Sequence, residues 1–204
     1  MSDQITDFAE LRELYGDPNI RAANKVLSKL DEHCRSFIGL SPFCVLGTAA
    51  ADGSADCSPK GDAPGFVDVL DDETLLIPDR LGNNRVDSMS NIVENSNVSL
   101  IFFVPGMNET LRINGHAAIT TDDAALDPLA VNGKTPKSGL IIKIDEAFLH
   151  CAKALIRSKL WDPERHIDRK SFPSLGRILS DQTGLQPPEV AEAAVEEAYR
   201  TKLY

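Results

Sequence analysis

The middle of the chain alternates short runs of β-branched and aromatic residues with turn-forming residues, and this pattern limits the fold most. Asp52-Gly53 is a strong hairpin signal between two such runs, because a tight primed turn needs positive φ. The strand-like runs are 43–50, 54–60, 66–70, 74–78, 98–104, 110–121 and 139–145. Short strands joined by hairpins predict a small antiparallel barrel, and the missing βαβ repetition argues against a Rossmann sheet.

Helices are predicted on both sides of this β-rich region. Residues 1–40 read as helical, and Asp17-Pro18-Asn19 supplies a turn and a cap. An apolar stripe at spacings of three and four follows, made of Ile20, Ala23, Leu27, Leu30, Cys34 and Phe37. Ser41-Pro42 ends this helical region. Further helices are predicted at 86–94, 122–130, 147–160 and 187–202, with a Pro/Gly-punctuated connection at 162–184.

These patterns predict one α+β domain that is mainly antiparallel β. Its three parts are an N-terminal helical segment at 1–40, a barrel at 41–150 and a C-terminal helical extension at 151–204 packed on the barrel. The run 98–104 is apolar except for Ser99 and is expected to be a central strand. Gly115 lies inside the long run 110–121 and predicts a bulge or bend there.

The charge of the chain limits its partners. The formal net charge is -10 over 204 residues, so the surface repels nucleic-acid phosphates and anionic membranes. No run approaches the ~20 apolar residues that span a bilayer, and the N-terminus lacks the pattern of a secretory signal. We therefore expect neither nucleic acid nor membrane as a partner.

The cysteines and histidines suggest a reducing compartment and no metal. The four cysteines form no CxxC pair, and we expect free, mostly buried thiols in a cytoplasmic protein; they are Cys34, Cys44, Cys57 and Cys151. Three histidines lack an EXXH or HEXXH context and are expected to be structural; they are His33, His116 and His150. No GxSxG pattern supports a hydrolase.

The segment from Pro78 to Ser88 is the most informative for chemistry. Two arginines, two asparagines and a glycine fall within six residues, between a predicted strand and a predicted helix. Arginine offers a fork of donors that matches phosphate oxygens. The free N–H groups at a helix N-terminus favour an anion at the same place. The segment predicts a phosphate cradle, although a plain surface loop with solvated charges explains the same residues.

Two more segments could contribute to such a site. Ser58-Pro59-Lys60-Gly61-Asp62 ends a strand, and its lysine could neutralise a phosphate; an ordinary strand end is the alternative. In the long strand, alternation places Thr110, Arg112 and Asn114 on one face. An arginine inside a strand needs a partner, and a cross-strand ion pair on the solvated face is the alternative there.

The run from Ser58 to Ala117 resembles the FMN-binding split-barrel superfamily of pyridoxamine 5′-phosphate oxidase. It is similar to an uncharacterised bacterial subfamily marked by the motifs SPxGD, PDRxGNxR and ETLRxNGxA. The resemblance covers residues 40–150 most clearly. It implies a split β-barrel with flanking helices, working as a homodimer with two FMN molecules in the dimer cleft.

The resemblance also implies roles for individual residues. Lys60 stands where the family has a strand-end lysine, and Asn84 and Arg85 stand where the oxidases have an Arg-Lys phosphate pair. Thr110 falls where those oxidases place a glutamine near the flavin. The arginine that opens their flavin-binding strand is replaced near Ala55 and Asp56, and Arg80 and Arg112 are candidates to compensate. The predicted cofactor-binding set is Ser58, Lys60, Ile77, Pro78, Asp79, Arg80, Asn83, Asn84, Arg85, Thr110 and Arg112.

The resemblance weakens after the barrel. The oxidases end with a tryptophan followed by an arginine and histidine that touch the substrate. After Trp161, the arginine and histidine stand at a different spacing, and about forty further residues follow. Trp161 is better explained as an aromatic anchor for the C-terminal helices, and pyridoxamine phosphate oxidation specifically is not expected. We expect an FMN-dependent oxidoreductase acting on an unknown small molecule, with its catalytic residues unassigned. The alternatives are a non-catalytic protein that binds flavin, haem or a similar flat ligand, and an interaction protein that docks a partner on its acidic C-terminal helix.

Overall fold

The computed structural model describes residues 4–204. The predictions that touch residues 1–3, a helical start and a non-secretory N-terminus, lie outside the described residues. The strands are β1 Phe43–Ala49, β2 Ala55–Gly61, β3 Asp68–Asp71, β4 Thr74–Pro78, β5 Asn97–Phe103, β6 Thr110–Thr120 and β7 Gly139–His150. The α-helices are α1 Phe8–Tyr15, α2 Ile20–Asn24, α3 Glu32–Leu40, α4 Asp87–Glu94, α5 Asp123–Leu126, α6 Lys153–Ser158, α7 Leu175–Thr183 and α8 Pro188–Thr201.

The strands form one antiparallel sheet in the order β2-β1-β5-β6-β7-β4-β3. Neighbours in sequence pair antiparallel at β1–β2, β3–β4, β5–β6 and β6–β7, and the last of these pairs is joined through α5. The predicted antiparallel β architecture with flanking helices is therefore confirmed. Gly53 has the positive φ that the hairpin signal required, at +87°. The register of β6 against β7 shifts at Asn114 and Gly115, which confirms the predicted bulge.

The core lies against one face of this sheet. In β5, Val98, Leu100 and Phe102 are buried, because alternate side chains of a strand point to the same face. The strand lies between β1 and β6, as its apolar sequence predicted. Helix α3 adds three buried side chains to the same cluster, Cys34, Phe37 and Ile38.

The N-terminal prediction is wrong in one respect, since residues 20–37 do not form one helical stripe. Asn19 caps α2 as predicted, and its side chain accepts the Arg21 N–H at 2.9 Å. The chain then leaves the helix, and Leu27 forms an isolated β-bridge with Ala147. The carboxylate of Asp31 accepts the Cys34 N–H at 2.8 Å and starts α3 anew. The segment therefore forms two capped helices, α2 and α3, joined by an extended link, and not the single helix that the apolar stripe predicted.

Two C-terminal predictions also need correction. The predicted helix at 147–160 is wrong at its start, because 147–150 continue β7 and Ala147 pairs with Ile113. The region 162–184 was expected to be irregular but contains α7. That helix starts where the Ser174 hydroxyl accepts the Arg177 N–H at 3.1 Å, and it ends at Gly184 in the left-handed conformation. The helix predicted at 187–202 is confirmed, since α8 covers almost the same residues.

The cysteines are all free, as predicted, but only Cys34 and Cys44 are buried, whereas Cys57 and Cys151 are exposed. Burial raises the pKa of the Cys44 thiol to about 12, partly offset by the nearby charge of Lys60. Over residues 4–204, no helix is both long enough and apolar enough to cross a bilayer.

Candidate functional site

A cavity of about 690 Å³ opens between β2 and the loop that joins β4 to α4. Its volume falls within the range of about 300–1,000 Å³ that small-molecule sites occupy. Most of the sequence-predicted cofactor residues line it, although they come from two separate segments of the chain. They are Ser58, Lys60, Pro78, Asp79, Arg80, Asn83, Asn84 and Arg85.

Three predicted residues do not line this cavity. Ile77 is 1% exposed and belongs to the hydrophobic core under the strand end. Thr110 is buried in β6, at 2% exposure. Arg112 lies over the ring of Phe148, with its Cζ atom 5.2 Å from the ring centroid, so its partner is an aromatic ring and not a carboxylate.

Strand β2 forms one wall of the cavity. Its alternation leaves Asp56, Ser58 and Lys60 half-buried, while Cys57 and Pro59 are exposed. The strand lies at one edge of the sheet, because β1 is its only neighbour in the sheet order. One face of β2 thus presents a lysine, a hydroxyl and a carboxylate together.

The loop between β4 and α4 forms the opposite wall, and its backbone is unusual. Asn84 and Val86 both have positive φ, at 60° and 54°. Asparagine tolerates this conformation, whereas for a β-branched valine it is a genuine outlier that costs on the order of 1–3 kcal/mol. The side-chain oxygen of Asn83 accepts the Arg85 N–H at 3.0 Å and holds the turn.

The start of α4 faces the same loop. Val86 is the N-cap residue and supplies no side-chain hydrogen bond to the helix. The first N–H groups of an α-helix have no partner within the helix, and the helix dipole makes this end attractive to anions. The conformation of the loop therefore leaves the helix N-terminus uncapped beside two cationic side chains, Lys60 and Arg85.

The two cations are held by weak ion pairs. The Lys60 ammonium lies 3.7 Å from the Asp79 carboxylate. The Arg85 guanidinium pairs with Asp87 at 2.8 Å, but 73% of the Arg85 side chain is exposed. An exposed pair such as Arg85–Asp87 contributes little to stability, at about 0–1 kcal/mol, whereas the partly buried Lys60–Asp79 pair is weak because it is long. A doubly charged anion in the cavity can compete for both cations at small cost.

Arg80 also lines the cavity, but its guanidinium is already bound. Its Nε donates to the Asp62 carboxylate at 2.6 Å, and its Nη1 donates to the Leu129 carbonyl at 2.9 Å. Only 18% of the Arg80 side chain and 4% of the Asp62 side chain are exposed. Its short hydrogen bonds therefore place Arg80 in the framework of the site, whereas Lys60 has only a long ion pair and Arg85 only an exposed one.

Sequence reasoning missed several lining residues. The Ser88 hydroxyl donates to the Asp56 carboxylate at 2.9 Å, which links β2 to the first turn of α4. Phe66 and Met89 add apolar surface to the cavity. The alternation of β2 could have identified Asp56, since it shares a face with Ser58 and Lys60. No local sequence pattern indicates that Phe66 lines the cavity, because only the tertiary structure places it there.

The arrangement suits a ligand with an anionic end and a flat apolar part. Cationic and N–H donors gather at the rim formed by Lys60, Asn84 and Arg85. Apolar side chains lie in the same cavity, so one molecule could meet both surfaces. Hydrogen bonds from these cationic donors to an anion would be charge-assisted, and such bonds are shorter and stronger than neutral ones.

Comparison with known proteins gives one family match. A family model described as pyridoxamine 5′-phosphate oxidase matches residues 30–151, more than half of the chain. A search of curated proteins finds no significant match.

Solved structures include several similar folds. HupZ of Group A Streptococcus is 20% identical, with a TM-score of 0.49 and coverage of 59% of this chain and 93% of that one. An FMN-binding protein from Syntrophomonas wolfei is 12% identical, with a TM-score of 0.47 and coverage of 70% and 96%. A protein of the pyridoxinephosphate oxidase family from Clostridium acetobutylicum is 14% identical, with a TM-score of 0.43 and coverage of 59% and 90%.

Proposed function

The chain belongs to the pyridoxamine 5′-phosphate oxidase family, and on that premise we propose that it binds FMN in the cavity between β2 and α4. One observation carries the proposal: Lys60 on β2 and the neighbouring residues Asn84 and Arg85 on the loop before α4 line a single cavity. A phosphate monoester carries a charge of about −1.5 to −2 at neutral pH. In a chain of net charge -10, a rim of two accessible cations is a specific place for such a group.

The residues present fit the phosphate of FMN. Lys60 and Arg85 supply charge, and the side-chain amide of Asn84 supplies a further donor. The uncapped start of α4 adds N–H groups that face an anion favourably. Ser58, on the same face of β2 as Lys60, is positioned to donate to the heteroatoms of the ring. Pro78, Asp79 and Asn83 shape the remaining wall.

We propose an oxidoreductase role for the FMN-loaded protein, acting on a small molecule. FMN supplies hydride or one-electron chemistry that ordinary side chains lack. The chain itself contributes binding, orientation and local charge. Lys60 places a positive charge beside the ligand, because its ion pair with Asp79 is long, at 3.7 Å.

We further propose that the functional unit is a cytoplasmic homodimer. Leu81 and Val86, both on the cavity loop, are each 53% exposed, and a second copy of the chain would cover them. Arg112, which is half-buried, stays in the proposed cofactor set only through that second copy, whereas the Thr110 side chain is buried within its own chain. Four free thiols suit a reducing compartment.

A second candidate is a protein that binds flavin without turnover. Among the described cavity-lining residues there is no histidine, and the carboxylates of Asp56, Asp79 and Asp87 each have a hydrogen-bond or ion-pair partner. None of these three carboxylates is without a partner, which favours binding over acid–base chemistry in the cavity. Reduction of the bound flavin by NADH or NADPH favours the enzyme, and the absence of reduction with either donor favours the binding protein.

The proposed function predicts a preference for FMN over riboflavin. We expect FMN to bind more than about tenfold more tightly, because riboflavin lacks the phosphate and one hydrogen bond to a charged group contributes about 1.5–3 kcal/mol. Quenching of flavin fluorescence during titration of the purified protein measures both affinities. Equal affinities would show that the cavity does not recognise the phosphate, and no binding of either flavin would remove the proposal.

A further inference from the structure

A cluster of three side chains lies behind the loop of the cavity, and the function proposed above does not use it. It consists of Asp62, Arg80 and Tyr204, which we call the Asp62–Arg80–Tyr204 cluster. Asp62 follows β2, Arg80 lies in the β4–α4 loop, and Tyr204 follows α8. Residues 142 positions apart in the chain thus meet at one point.

The contacts within the cluster are short and mutually consistent. The Tyr204 hydroxyl donates to Asp62 Oδ1 at 2.7 Å, while Arg80 Nε donates to Asp62 Oδ2 at 2.6 Å. The Arg80 guanidinium carbon also lies 5.7 Å from the centre of the Tyr204 ring. Each member therefore contacts the other two. Because the Asp62 side chain is almost fully buried, loss of one of its donors is expected to be costly.

The charge state of Asp62 agrees with this geometry. Burial raises the pKa of the Asp62 carboxyl, but hydrogen bonds from Tyr204, from the Ala63 N–H and from Arg80 outweigh the burial. The net effect holds the pKa below its ordinary value, so the carboxylate is ionised at neutral pH. The pKa of the Tyr204 phenol is raised, chiefly by its hydrogen bond to Asp62, so the hydroxyl keeps the proton that it donates.

Further contacts fix Tyr204 behind the loop. The Lys134 ammonium donates to the main-chain oxygen of Tyr204 at 2.8 Å. A second cavity of about 220 Å³ lies between Tyr204 and the loop, and it shares Asp79, Arg80 and Asn84 with the larger cavity. The same loop residues therefore face the larger cavity on one side and Tyr204 on the other.

The cluster connects both walls of the larger cavity. Asp62 is two residues after Lys60, and Arg80 is next to Asp79, the ion-pair partner of Lys60. A movement of Arg80 would therefore displace the loop that carries Asn84 and Arg85 relative to β2. Preorganised sites bind more tightly, since less conformational freedom is lost on binding.

We propose that Tyr204 is a positioning residue, which holds Asp62 and Arg80 and thereby fixes the loop at 79–86 for the phosphate of FMN. The effect on FMN rests on the proposed function, whereas the effect on the loop does not. Tyr204 itself makes no proposed contact with FMN. Its role is to keep Arg80 in the framework, so that Arg85 and the start of α4 stay in place.

The test compares Tyr204→Phe with Tyr199→Phe in the full chain. Tyr199 provides a matched control, because it lies in α8, is 59% exposed and makes no side-chain hydrogen bond within residues 4–204. Two quantities are measured for each variant: amide hydrogen exchange at 79–86 without ligand, and the ratio of FMN affinity to riboflavin affinity. We expect Tyr204→Phe to speed exchange in the loop and to lower the affinity ratio about three- to tenfold, the effect of one hydrogen bond. Tyr199→Phe should change neither quantity.

Two outcomes would overturn the proposal. One is unchanged loop exchange in Tyr204→Phe. The other is an equal loss of affinity for FMN and riboflavin, because a general loss of structure does not select for the phosphate. If the unaltered protein binds no flavin, the proposed function fails, and loop exchange alone then decides the positioning role. Asp62→Asn provides a second variant, which should speed exchange in the same loop.

Discussion

Arg85→Ala is expected to weaken FMN binding by about 1–3 kcal/mol, the cost of removing one partner from a charge-assisted hydrogen bond. Arg85 lies before α4, between Asn84 and Val86, which both have positive φ. Its exposed side chain forms an ion pair with Asp87. The protein therefore loses little when this ion pair is removed. The affinity for FMN should fall, while the affinity for riboflavin and the free energy of unfolding should stay nearly constant.

Arg177→Ala is the matched control for this substitution. Arg177 is also an exposed arginine with a nearby aspartate partner, Asp181, at 3.0 Å, but it lies in α7 and does not line the cavity. Fluorescence titrations of both variants with FMN give the comparison. Unchanged FMN affinity in Arg85→Ala, or equal losses in both variants, would place the phosphate elsewhere.

Gly115→Ala is expected to destabilise the fold by about 1–3 kcal/mol or more, because overpacking in a rigid core is costly. A Cβ atom at position 115 would overlap the carbonyl oxygen of Lys143 and lie 3.2 Å from the Cα of Ile144. Both neighbours belong to β7, which pairs with β6 at this bulge. Because these atoms are backbone, the contact can be relieved only by moving strands in the middle of the sheet.

Gly39→Ala provides the opposite expectation. Gly39 lies in α3, and an added Cβ would meet no atom within 4 Å. Alanine is favoured over glycine in helices by about 1 kcal/mol, so this variant should be slightly more stable. Urea denaturation measures the free energy of unfolding of both proteins. Equal stability of Gly115→Ala and the unaltered chain would show that the bulge has room that the structure does not show.

The elements that were predicted correctly are those whose signal is local. Strand β5 is rich in apolar residues and its buried positions alternate along the strand. The Asn19 side chain caps α2 through a hydrogen bond two residues away in the chain. Ala147 shows the opposite case, because alanine favours helices but here pairs with Ile113 in β7. Pairing with a strand more than thirty residues away overrode the local preference. Leu27 left its predicted helical stripe for the same reason, since it bridges to Ala147.

The candidate site was predictable to the extent that its residues lie in short motifs. Lys60 lies in β2 and Arg85 lies after β4, and both residues belong to short motifs at strand ends. The two strands lie near opposite ends of the sheet order, yet both motifs line one cavity. Tyr204 could not be predicted, because its contact with Asp62 depends on how the C-terminal helices return to the barrel. Nor could the local sequence show that Arg80 is bound to Asp62, because both lie beside the predicted cradle and look equally accessible.

We propose that one rim, formed by Lys60, Asn84 and Arg85, holds the phosphate of FMN. A crystal structure of the protein grown with FMN would show where the phosphate lies. We expect the phosphate within hydrogen-bond distance of Lys60 and Arg85, beside the first turn of α4. A phosphate bound at another surface, or a flavin in the cavity with its phosphate pointing away from both cations, would contradict this assignment.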